Sequence, residues 1–453
     1  MQFNTYLFGG FFVVVLAIHS SPLPWTLRKV VLLLASYAFY AAWDPPFVGL
    51  LIGSTIVDWF VAKWMAASTI KRRRKALLCT SLAFNLGLLA YFKYAGFLGI
   101  TDAPLVVPIG ISFYTFMTLS YTIDVYLGRG RPARSFLDYA LYVTFFPHLV
   151  AGPIVRVNEL VPQFEQPRRA TGPMLAWGLA LVVLGLFEKI VLADGLLAPA
   201  VDMVYGGKVP STAGAWAGTI AFAGQIFCDF SGYSTCAIGV ALCLGFSLPD
   251  NFRSPYAAVG FSDFWRRWHI SLSSWLRDYL YIPLGGNRHG AIRTNINLML
   301  TMLIGGLWHG ASWTFVVWGG LHGLYLVAER VLVRVMPASP LWSAPLVRFG
   351  LALLTFALVC IAWVFFRAAT FDQAFAICRA MFGGASGTTN SFVMFALAPV
   401  SLLLAVHWLM RDTTLETVVE RTSWPVRTAL LSAMTLSLLL FSGVERAFIY
   451  FQF

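Results

Sequence analysis

Two histidines in this sequence stand in apolar, glycine-rich surroundings. His309 lies within residues 305–313 (GGLWHGASW), and His322 lies within residues 318–323 (WGGLHG). An ionisable side chain inside an apolar membrane segment is costly and therefore indicates a functional site. His309 is the first candidate for a catalytic residue. The alternative is a core histidine that bonds a carbonyl of a neighbouring helix.

Proton transfer is the chemistry open to such a histidine. The sequence contains no P-loop, no GxSxG, no HExxH and no dinucleotide fingerprint. An imidazole that titrates near neutral pH can remove the proton from a hydroxyl group. When the other substrate is an activated acyl thioester, the leaving thiolate is good and positioning is the main remaining requirement. Acyl transfer to a hydroxyl therefore fits these residues best.

The spacing of the two histidines limits how they can cooperate. They are thirteen residues apart, so one unbroken helix would separate them by ~20 Å and turn them by ~220°. Either Gly310 ends the helix or only one histidine is the base. We expect the second alternative, with His309 as the base and His322 as a supporting, channel-lining or structural group. Gly305, Gly306 and Gly310 either admit a substrate chain or permit close helix packing.

A second polar stretch, residues 263–281, interleaves arginines with tryptophans. As a single helix it would carry an aromatic stripe beside a polar one, with His269 at the edge of the aromatic stripe. Such a helix belongs at an interface or against a polar cavity, not across lipid. Arginine and tryptophan at headgroup level are one explanation. Binding of a polyanionic donor is the other, with Arg267, Arg277, His269 and Trp308 as candidate substrate-binding residues.

The composition places these residues in an integral membrane protein. Of 453 residues, 58% are hydrophobic and 11% are charged, against roughly a quarter charged in soluble domains. Apolar stretches near the ~20 residues of a membrane span predict about ten to twelve membrane segments. No polar stretch reaches the ~50 residues of a small domain, so residues 1–453 are expected to form one domain. The predicted spans are Leu7–Ile18, Val30–Trp43, Phe47–Ala62, Ala76–Phe92, Met174–Leu192, Trp216–Phe227, Trp313–Ala328, Leu346–Phe366, Phe392–Leu409 and Ala429–Phe441.

The basic residues are placed as expected for a membrane protein rather than a nucleic-acid-binding one. The net charge is +12, and its densest runs, residues 71–75 and 168–169, fall in short loops between apolar segments. The positive-inside rule assigns both loops to the cytoplasm. The six cysteines include no CxxC pair, so the sequence supports neither a disulfide framework nor a metal site.

Two apolar segments carry helix-breaking residues at membrane depth. They are residues 108–114 (PIGISFY) and 146–153 (FPHLVAGP). Irregular backbone inside a bilayer is tolerated where it is buried in protein or lines a cavity. These segments are expected to be broken or re-entrant beside an internal cavity, and simple kinked helices are the alternative.

Several longer motifs carry a resemblance to a known family. They are residues 264–273 (FWRRWHISLS), 276–282 (LRDYLYI), 285–288 (GGNR), 306–310 (GLWHG), 229–234 (DFSGYS) and 449–453 (IYFQF). Together with residues 108–113 and 146–153, they cover nearly the whole chain. The sequence resembles the membrane-bound O-acyltransferase (MBOAT) family, and within it the alginate O-acetyltransferase branch. A cousin branch transfers D-alanine to teichoic acid.

This resemblance implies a fold and a set of roles. The fold is a ring of membrane helices around a central channel that the acyl donor enters from the cytoplasm. His309 corresponds to the catalytic histidine, His269 to a second histidine at the same site, and His322 to a further one of less certain role. The implied protein lies in a bacterial inner membrane, takes acetyl-CoA or an acyl carrier as donor without a bound cofactor, and passes the acetyl group to a periplasmic acetyltransferase. The connection at residues 97–104 is shorter than the family's usual loops.

Other functions remain open from the sequence. Within the enzyme class, the acceptor could be alginate, another exopolysaccharide, cellulose or peptidoglycan, or the reaction could be D-alanylation of teichoic acid. A transporter or channel that uses the buried histidines and arginines is the alternative from another class.

Overall fold

The structure is a computed structural model that describes residues 1–43, 45–101, 105–207, 210–337, 339–383, 390–441 and 446–449. Within these ranges the regular secondary structure is entirely helical. The predicted all-α fold is confirmed. The short connection predicted before residue 104 includes residues 102–104, which lie outside the described residues, as do residues 450–453 of the C-terminal motif.

The helices follow one another with short connections. Short 3-10 helices occupy Pro45–Phe47, Pro255–Ala257 and Pro340–Ser343, and π-helical segments occupy Ala90–Tyr94, Phe187–Leu197 and Arg277–Tyr281. The α-helices are α1 (Tyr6–Ser20), α2 (Trp25–Ala41), α3 (Val48–Ala67), α4 (Lys71–Leu89), α5 (Ile111–Leu127), α6 (Phe136–Thr144), α7 (Val157–Phe164), α8 (Gly172–Leu186), α9 (Ala198–Tyr205), α10 (Thr212–Cys243), α11 (Phe261–Arg267), α12 (Ile270–Leu276), α13 (Gly290–His309), α14 (Trp313–Val335), α15 (Pro345–Arg367), α16 (Phe371–Met381), α17 (Ser391–Phe395), α18 (Leu397–Leu409), α19 (Leu415–Arg421) and α20 (Trp424–Leu440).

Many of these helices have the length and apolar character of membrane spans. Helices α1 and α20 are shorter and also apolar. The chain is therefore a multi-pass membrane protein, and each predicted span falls on a helix. In the described part of the chain, seven helical stretches are long and apolar enough to cross a bilayer: Pro45–Ala67, Lys71–Tyr94, Gly172–Tyr205, Thr212–Cys243, Trp313–Val335, Pro345–Arg367 and Ser391–Leu409.

Packing of the backbone divides the chain into two compact units. Unit 1 comprises Met1–Leu186 and Tyr233–Asp250, and unit 2 comprises Phe187–Gly232 and Asn251–Phe453. The expectation of one domain, and of a ring of helices around a channel, stays a prediction. All the candidate site residues lie in unit 2.

In unit 1, residues 108–110 and 146–153 are non-helical, which confirms that both segments are broken, whereas residues 111–114 form the first turn of α5. Helix α5 begins only after Gly110, which has φ +73°. The chain between α6 and α7 passes through turns, and residues 145–155 are all buried. A Cβ at position 110 would lie 2.9 Å from the carbonyl oxygen of Leu149. The two segments therefore pack against each other, and the kinked-helix alternative is wrong.

The stretch at residues 263–281 is not the single helix that its pattern predicts. Helix α11 ends at Arg267, and α12 begins after His269, whose φ is +43°. The break is stabilised by the chain at residues 251–253. Arg253 N–H donates to the Arg267 carbonyl, and Ile270 N–H donates to the Asn251 carbonyl, both at 2.9 Å. The neighbouring segment thus satisfies backbone groups that a continuous helix would have used internally.

Helices α13 and α14 form a closely packed hairpin in unit 2. Helix α13 ends at His309, because Gly310 is extended (φ −159°, ψ 151°), and Ser312 caps the start of α14 through its side-chain oxygen. A Cβ at Gly306 would overlap the Phe315 carbonyl oxygen. Gly306 therefore serves close helix packing, and admission of a substrate chain stays a prediction. Gly310 does break the helix, and the expectation that only one of His309 and His322 is the base stays a prediction.

A buried charge cluster also stabilises unit 2. The Lys189 ammonium lies 2.9 Å from a carboxylate oxygen of Asp194 and also contacts Asp229. All three side chains are buried. The second oxygen of Asp229 accepts a hydrogen bond from the Ile449 N–H at 2.8 Å. The cluster therefore fixes the backbone at Ile449, the last described residue.

Alanine at position 306 or 319 is expected to destabilise the hairpin, because its Cβ would overlap a backbone oxygen of the facing helix. The free energy of unfolding should fall by about 1–3 kcal/mol, the usual cost of overpacking. Thermal unfolding in detergent measures this. Gly350→Ala is the control, because no atom lies within 4 Å of its Cβ position. Equal stability of all three variants would contradict the packing described.

Lys189→Met is expected to lower the free energy of unfolding by about 3–5 kcal/mol, because it leaves buried carboxylates without their cation. The control is Arg134→Met, which removes an ion pair to Glu165 in which the arginine side chain is 85% exposed. That variant should unfold like the wild type. If chemical denaturation gives the two variants the same stability, the buried cluster is not a stabilising element.

Candidate active site

His309 lies at the C-terminal end of α13 inside an aromatic cluster. Its side chain is buried, with 3% of the residue exposed. The ring centroid lies 5.0 Å from those of Trp308 and Trp318, and 5.5 Å from that of Phe366. The extended backbone at Gly310 ends the helix at this point. His309 is thus held within protein, not at a lipid-facing position of a continuous helix.

His269 is brought to the same place by the break between α11 and α12. It is fully buried, and its ring centroid lies 6.5 Å from that of His309 and 6.1 Å from that of Trp308. The edge of Phe230 packs against it at 4.7 Å. Three of the six candidate residues, His269, Trp308 and His309, therefore meet in one cluster.

Asn251 is a neighbour of His269 that the sequence analysis did not single out. Its side-chain oxygen lies 3.1 Å from Nδ1 of His269 and accepts a hydrogen bond from the Ser271 hydroxyl at 2.9 Å. Asn251 is 1% exposed. The signal in the sequence was weak: one amide residue in a loop, twelve positions before the polar stretch at residue 263.

His322 packs against the same tryptophan as His309. Its ring centroid lies 4.9 Å from Trp318, 5.1 Å from Trp265 and 5.8 Å from Phe264. The residue is fully buried, and neither ring nitrogen has a hydrogen-bond partner among the described residues. The indole ring of Trp318 therefore contacts both His309 and His322.

Indole N–H groups without an acceptor surround these histidines. Within the described part of the chain, the indole nitrogens of Trp265, Trp268, Trp318 and Trp363 are buried and have no hydrogen-bond partner. An indole N–H can only donate, and leaving a buried donor unsatisfied costs about 1–3 kcal/mol. Such a concentration of donors favours a site that receives oxygen atoms of a ligand or water.

The two candidate arginines are held by carboxylates of their own segments. Arg267 Nε lies 2.9 Å from Asp263, which also pairs with Arg411 at 2.8 Å. Burial alone would raise the pKa of Asp263, but the Val259 N–H and the two guanidinium groups together lower it below its ordinary value. The Arg277 side chain is 63% exposed and pairs with Asp278 at 2.8 Å. Donor binding by Arg267 and Arg277 stays a prediction.

The C-terminal segment of the described chain packs close to His269. Phe448 packs against Phe230 with ring centroids 5.7 Å apart, and Phe230 in turn contacts His269. The hydrogen bond from the Ile449 N–H to Asp229 fixes this segment. Asp229 and Phe230 therefore connect the buried charge cluster to His269.

The arrangement can hold a hydroxyl group between two imidazoles. N to O hydrogen bonds are roughly 2.9 Å long, so rings whose centroids are 6.5 Å apart can both reach one oxygen atom if a nitrogen of each ring faces it. A neutral imidazole accepts a proton through one nitrogen and donates through the other. The pair can therefore both orient a hydroxyl and remove its proton.

Comparisons with known proteins identify the family. The family model "MBOAT, membrane-bound O-acyltransferase family" matches residues 131–371. The chain is 43% identical over 397 residues to "Probable alginate O-acetylase AlgI" of Azotobacter vinelandii, covering 83% of this chain and 78% of the relative. It is 37% identical over 399 residues to "Peptidoglycan O-acetyltransferase" of Helicobacter pylori, covering 78% and 74%.

A more distant similarity extends to a different acyl group. The chain is 28% identical over 247 residues to "Teichoic acid D-alanyltransferase" of Streptococcus thermophilus, covering 50% of this chain and 57% of the relative. The family match spans more than half of the chain and includes His269, His309 and His322. The chain is an O-acyltransferase and belongs to the membrane-bound O-acyltransferase family.

Proposed function

We propose that the protein moves an acetyl group from acetyl-CoA on the cytoplasmic face of a bacterial inner membrane toward an extracytoplasmic polysaccharide of the alginate type. The convergence of His269 and His309 in a buried aromatic cluster is the observation that carries this proposal. The similarity to alginate O-acetylases over 83% of the chain supports the choice of acetyl group and polymer.

The two imidazoles handle the proton of the accepting hydroxyl. The hydroxyl oxygen attacks the carbonyl carbon of the acetyl thioester, and the thiolate leaves. Both rings are largely withdrawn from solvent, which favours transfer to the positioned hydroxyl over hydrolysis by bulk water. Trp308 packs against both histidines and limits the positions that a substrate can take.

The unsatisfied donors of the cluster bind the polar atoms of the thioester. Carbonyl oxygens accept hydrogen bonds, and the indole N–H groups of Trp265, Trp318 and Trp363 only donate. His322, with both ring nitrogens lacking partners among the described residues, lines the same site and contacts Trp318. In this proposal His322 binds substrate, while His269 and His309 act on the reacting atoms.

The acceptor polymer is recognised by a separate periplasmic acetyltransferase. Residues 71–75 form the first turns of α4 rather than the loop that the sequence suggested. These residues and the loop at residues 168–169 face the cytoplasm by the positive-inside rule, so the donor and the partner protein approach from opposite sides. Acetyl-CoA is a substrate here, not a bound cofactor.

O-acetylation of peptidoglycan is the second candidate function. The observation that favours it is the 37% identity to a peptidoglycan O-acetyltransferase over 78% of the chain. D-alanylation of teichoic acid has weaker support, because that similarity covers half of the chain. A transporter or channel is the rival from another class, and it requires flux without consumption of a thioester.

His309→Gln is expected to lower acetyl transfer by at least about 100-fold, because general acid–base groups contribute on that scale. The measurement is transfer of radiolabelled acetyl from acetyl-CoA into membranes that contain the protein. His407→Gln is the matched control: His407 is also buried in unit 2, but packs against Phe227 and Tyr256. That variant should keep its activity.

Two outcomes would overturn the proposal. One is a folded, membrane-inserted His309→Gln protein with full transfer. The other is proteoliposomes that release no free thiol from acetyl-CoA yet carry a steady flux of solute, which is the behaviour of a transporter.

The acceptor is assigned by measuring ester-linked acetyl in polymer fractions of cells that express the protein with its periplasmic partner. Acetyl esters are expected in the exopolysaccharide, and should be absent when His309→Gln replaces the wild type. Acetyl esters found in peptidoglycan alone would replace the alginate-type acceptor with the second candidate.

A further inference from the structure

Asp58 is a buried carboxyl group in unit 1. It is 0% exposed and lies on α3, in a stretch that is long and apolar enough to cross a bilayer. Its oxygens contact neutral groups of α4: Oδ1 lies 2.5 Å from the Ser81 hydroxyl oxygen, and Oδ2 accepts a hydrogen bond from the Asn85 amide at 2.8 Å. In the described part of the chain, no basic side chain pairs with it. A buried carboxylate is costly unless its charge is compensated.

The amide of Asn85 turns its N–H groups, not its oxygen, toward this carboxyl group. Its nitrogen donates to the backbone carbonyl of Ser81 at 3.0 Å, and a carbonyl can only accept. Its oxygen accepts from the hydroxyls of Ser54 at 2.7 Å and Thr118 at 3.3 Å. Sodium and similar cations need oxygen ligands, so this arrangement favours a proton over a metal ion as the species that neutralises Asp58.

The neighbouring hydroxyl groups show where the proton belongs. The Ser81 oxygen lies between Oδ1 of Asp58 and Oγ1 of Thr122, the latter at 3.1 Å. Thr122 in turn reaches a backbone carbonyl of its own helix, that of Leu119, at 3.2 Å. Each hydroxyl has one hydrogen. If Asp58 donates to Ser81, Ser81 to Thr122, and Thr122 to the backbone, every contact receives one hydrogen. An ionised Asp58 would take the hydrogen of Ser81 and leave Thr122 to supply two contacts with one.

We propose that Asp58 is a proton-binding site that is occupied at neutral pH and joins α3, α4 and α5 through a chain of hydrogen-bond donors. The carboxylic acid donates from Oδ1 to Ser81 and accepts from Asn85 at Oδ2. Loss of the proton to solvent leaves a buried negative charge and one hydrogen too few for the chain. Unit 1 is therefore destabilised when Asp58 is deprotonated. This inference does not rest on the proposed acyl transfer.

The titratable and charged groups around Asp58 do not replace the proton. Tyr121 of α5 and Tyr139 of α6 lie close enough to interact with it electrostatically, but phenol groups are uncharged at neutral pH. The charged side chains of the surrounding helices have other contacts: Lys63 lies over the Trp59 ring, Arg74 donates to backbone carbonyls at the end of α5, and Asp138 pairs with Lys29.

Solid-state NMR of the protein in liposomes, labelled with ¹³C-aspartate, reads this proton directly. The side-chain carboxyl resonance that disappears in Asp58→Asn identifies Asp58. At neutral pH it should have the chemical shift of a neutral carboxylic acid, and it should not change when a bulky organic cation replaces sodium. The chemical shift of a carboxylate would overturn the proposal. A shift that depends on sodium would also overturn it, in favour of a bound cation.

Thermal unfolding at different pH values is a second test. Asp58→Asn places a neutral amide at this position, which can donate to Ser81 and accept from Asn85. Its Tm should therefore match that of the wild type at neutral pH. As the pH becomes alkaline, the wild type loses the proton, and its Tm should fall relative to that of Asp58→Asn. Asp58→Leu should have a lower Tm already at neutral pH, because it leaves the Asn85 amide without this acceptor.

The control is Asp412→Asn, because the Asp412 side chain is 75% exposed. The Tm of this variant should follow the wild type at every pH. An ionised Asp58 predicts the opposite pattern, in which the wild type loses stability relative to Asp58→Asn on the acidic side and not on the alkaline side. That pattern, or an Asp58→Asn protein that does not fold at neutral pH, would overturn the proposal.

Discussion

Polar atoms that are withdrawn from both water and lipid need partners inside the protein, and this requirement governs unit 2. The Lys189 ammonium pairs with two aspartates, and Nδ1 of His269 lies within hydrogen-bond distance of the Asn251 side-chain oxygen. The ring nitrogens of His322 and the indole N–H groups of four tryptophans have no hydrogen-bond partner among the described residues. The satisfied groups hold the backbone in place, while the donors beside the histidines favour a site that receives oxygen atoms of a substrate or water.

Two interruptions of regular helix bring His269 and His309 together. One lies at Gly310, where α13 ends and presents His309, and the other lies at His269, between α11 and α12. Each is maintained by contacts that a continuous helix would lack: the capping of α14 by Ser312 in the first case, and the pairing with residues 251–253 in the second. The close approach of α13 and α14, which glycines at 306 and 319 permit, keeps the first interruption rigid.

The sequence predicted the membrane class and the helical fold, because these depend on local composition and on motifs that are contiguous in the chain. It failed for the stretch at residues 263–281, where the 3.6-residue pattern continues across a real break. The break is imposed by hydrogen bonds from residues 251–253, which no periodicity can reveal. The same holds for Gly310, whose extended backbone depends on how α14 packs. Asn251 was missed because its role arises from a contact across 18 positions, not from its neighbours in sequence.

We propose that His269 and His309 act as one unit on a single hydroxyl. A double-mutant cycle on acetyl transfer from acetyl-CoA, with the purified protein in proteoliposomes, tests it most directly. If the histidines form one functional unit, the rate of the double variant His269→Asn/His309→Gln should be no lower than that of the slower single variant, because residues that act together are strongly non-additive. A double variant whose loss equals the product of the two single losses, or a single variant with full activity, would contradict the claim.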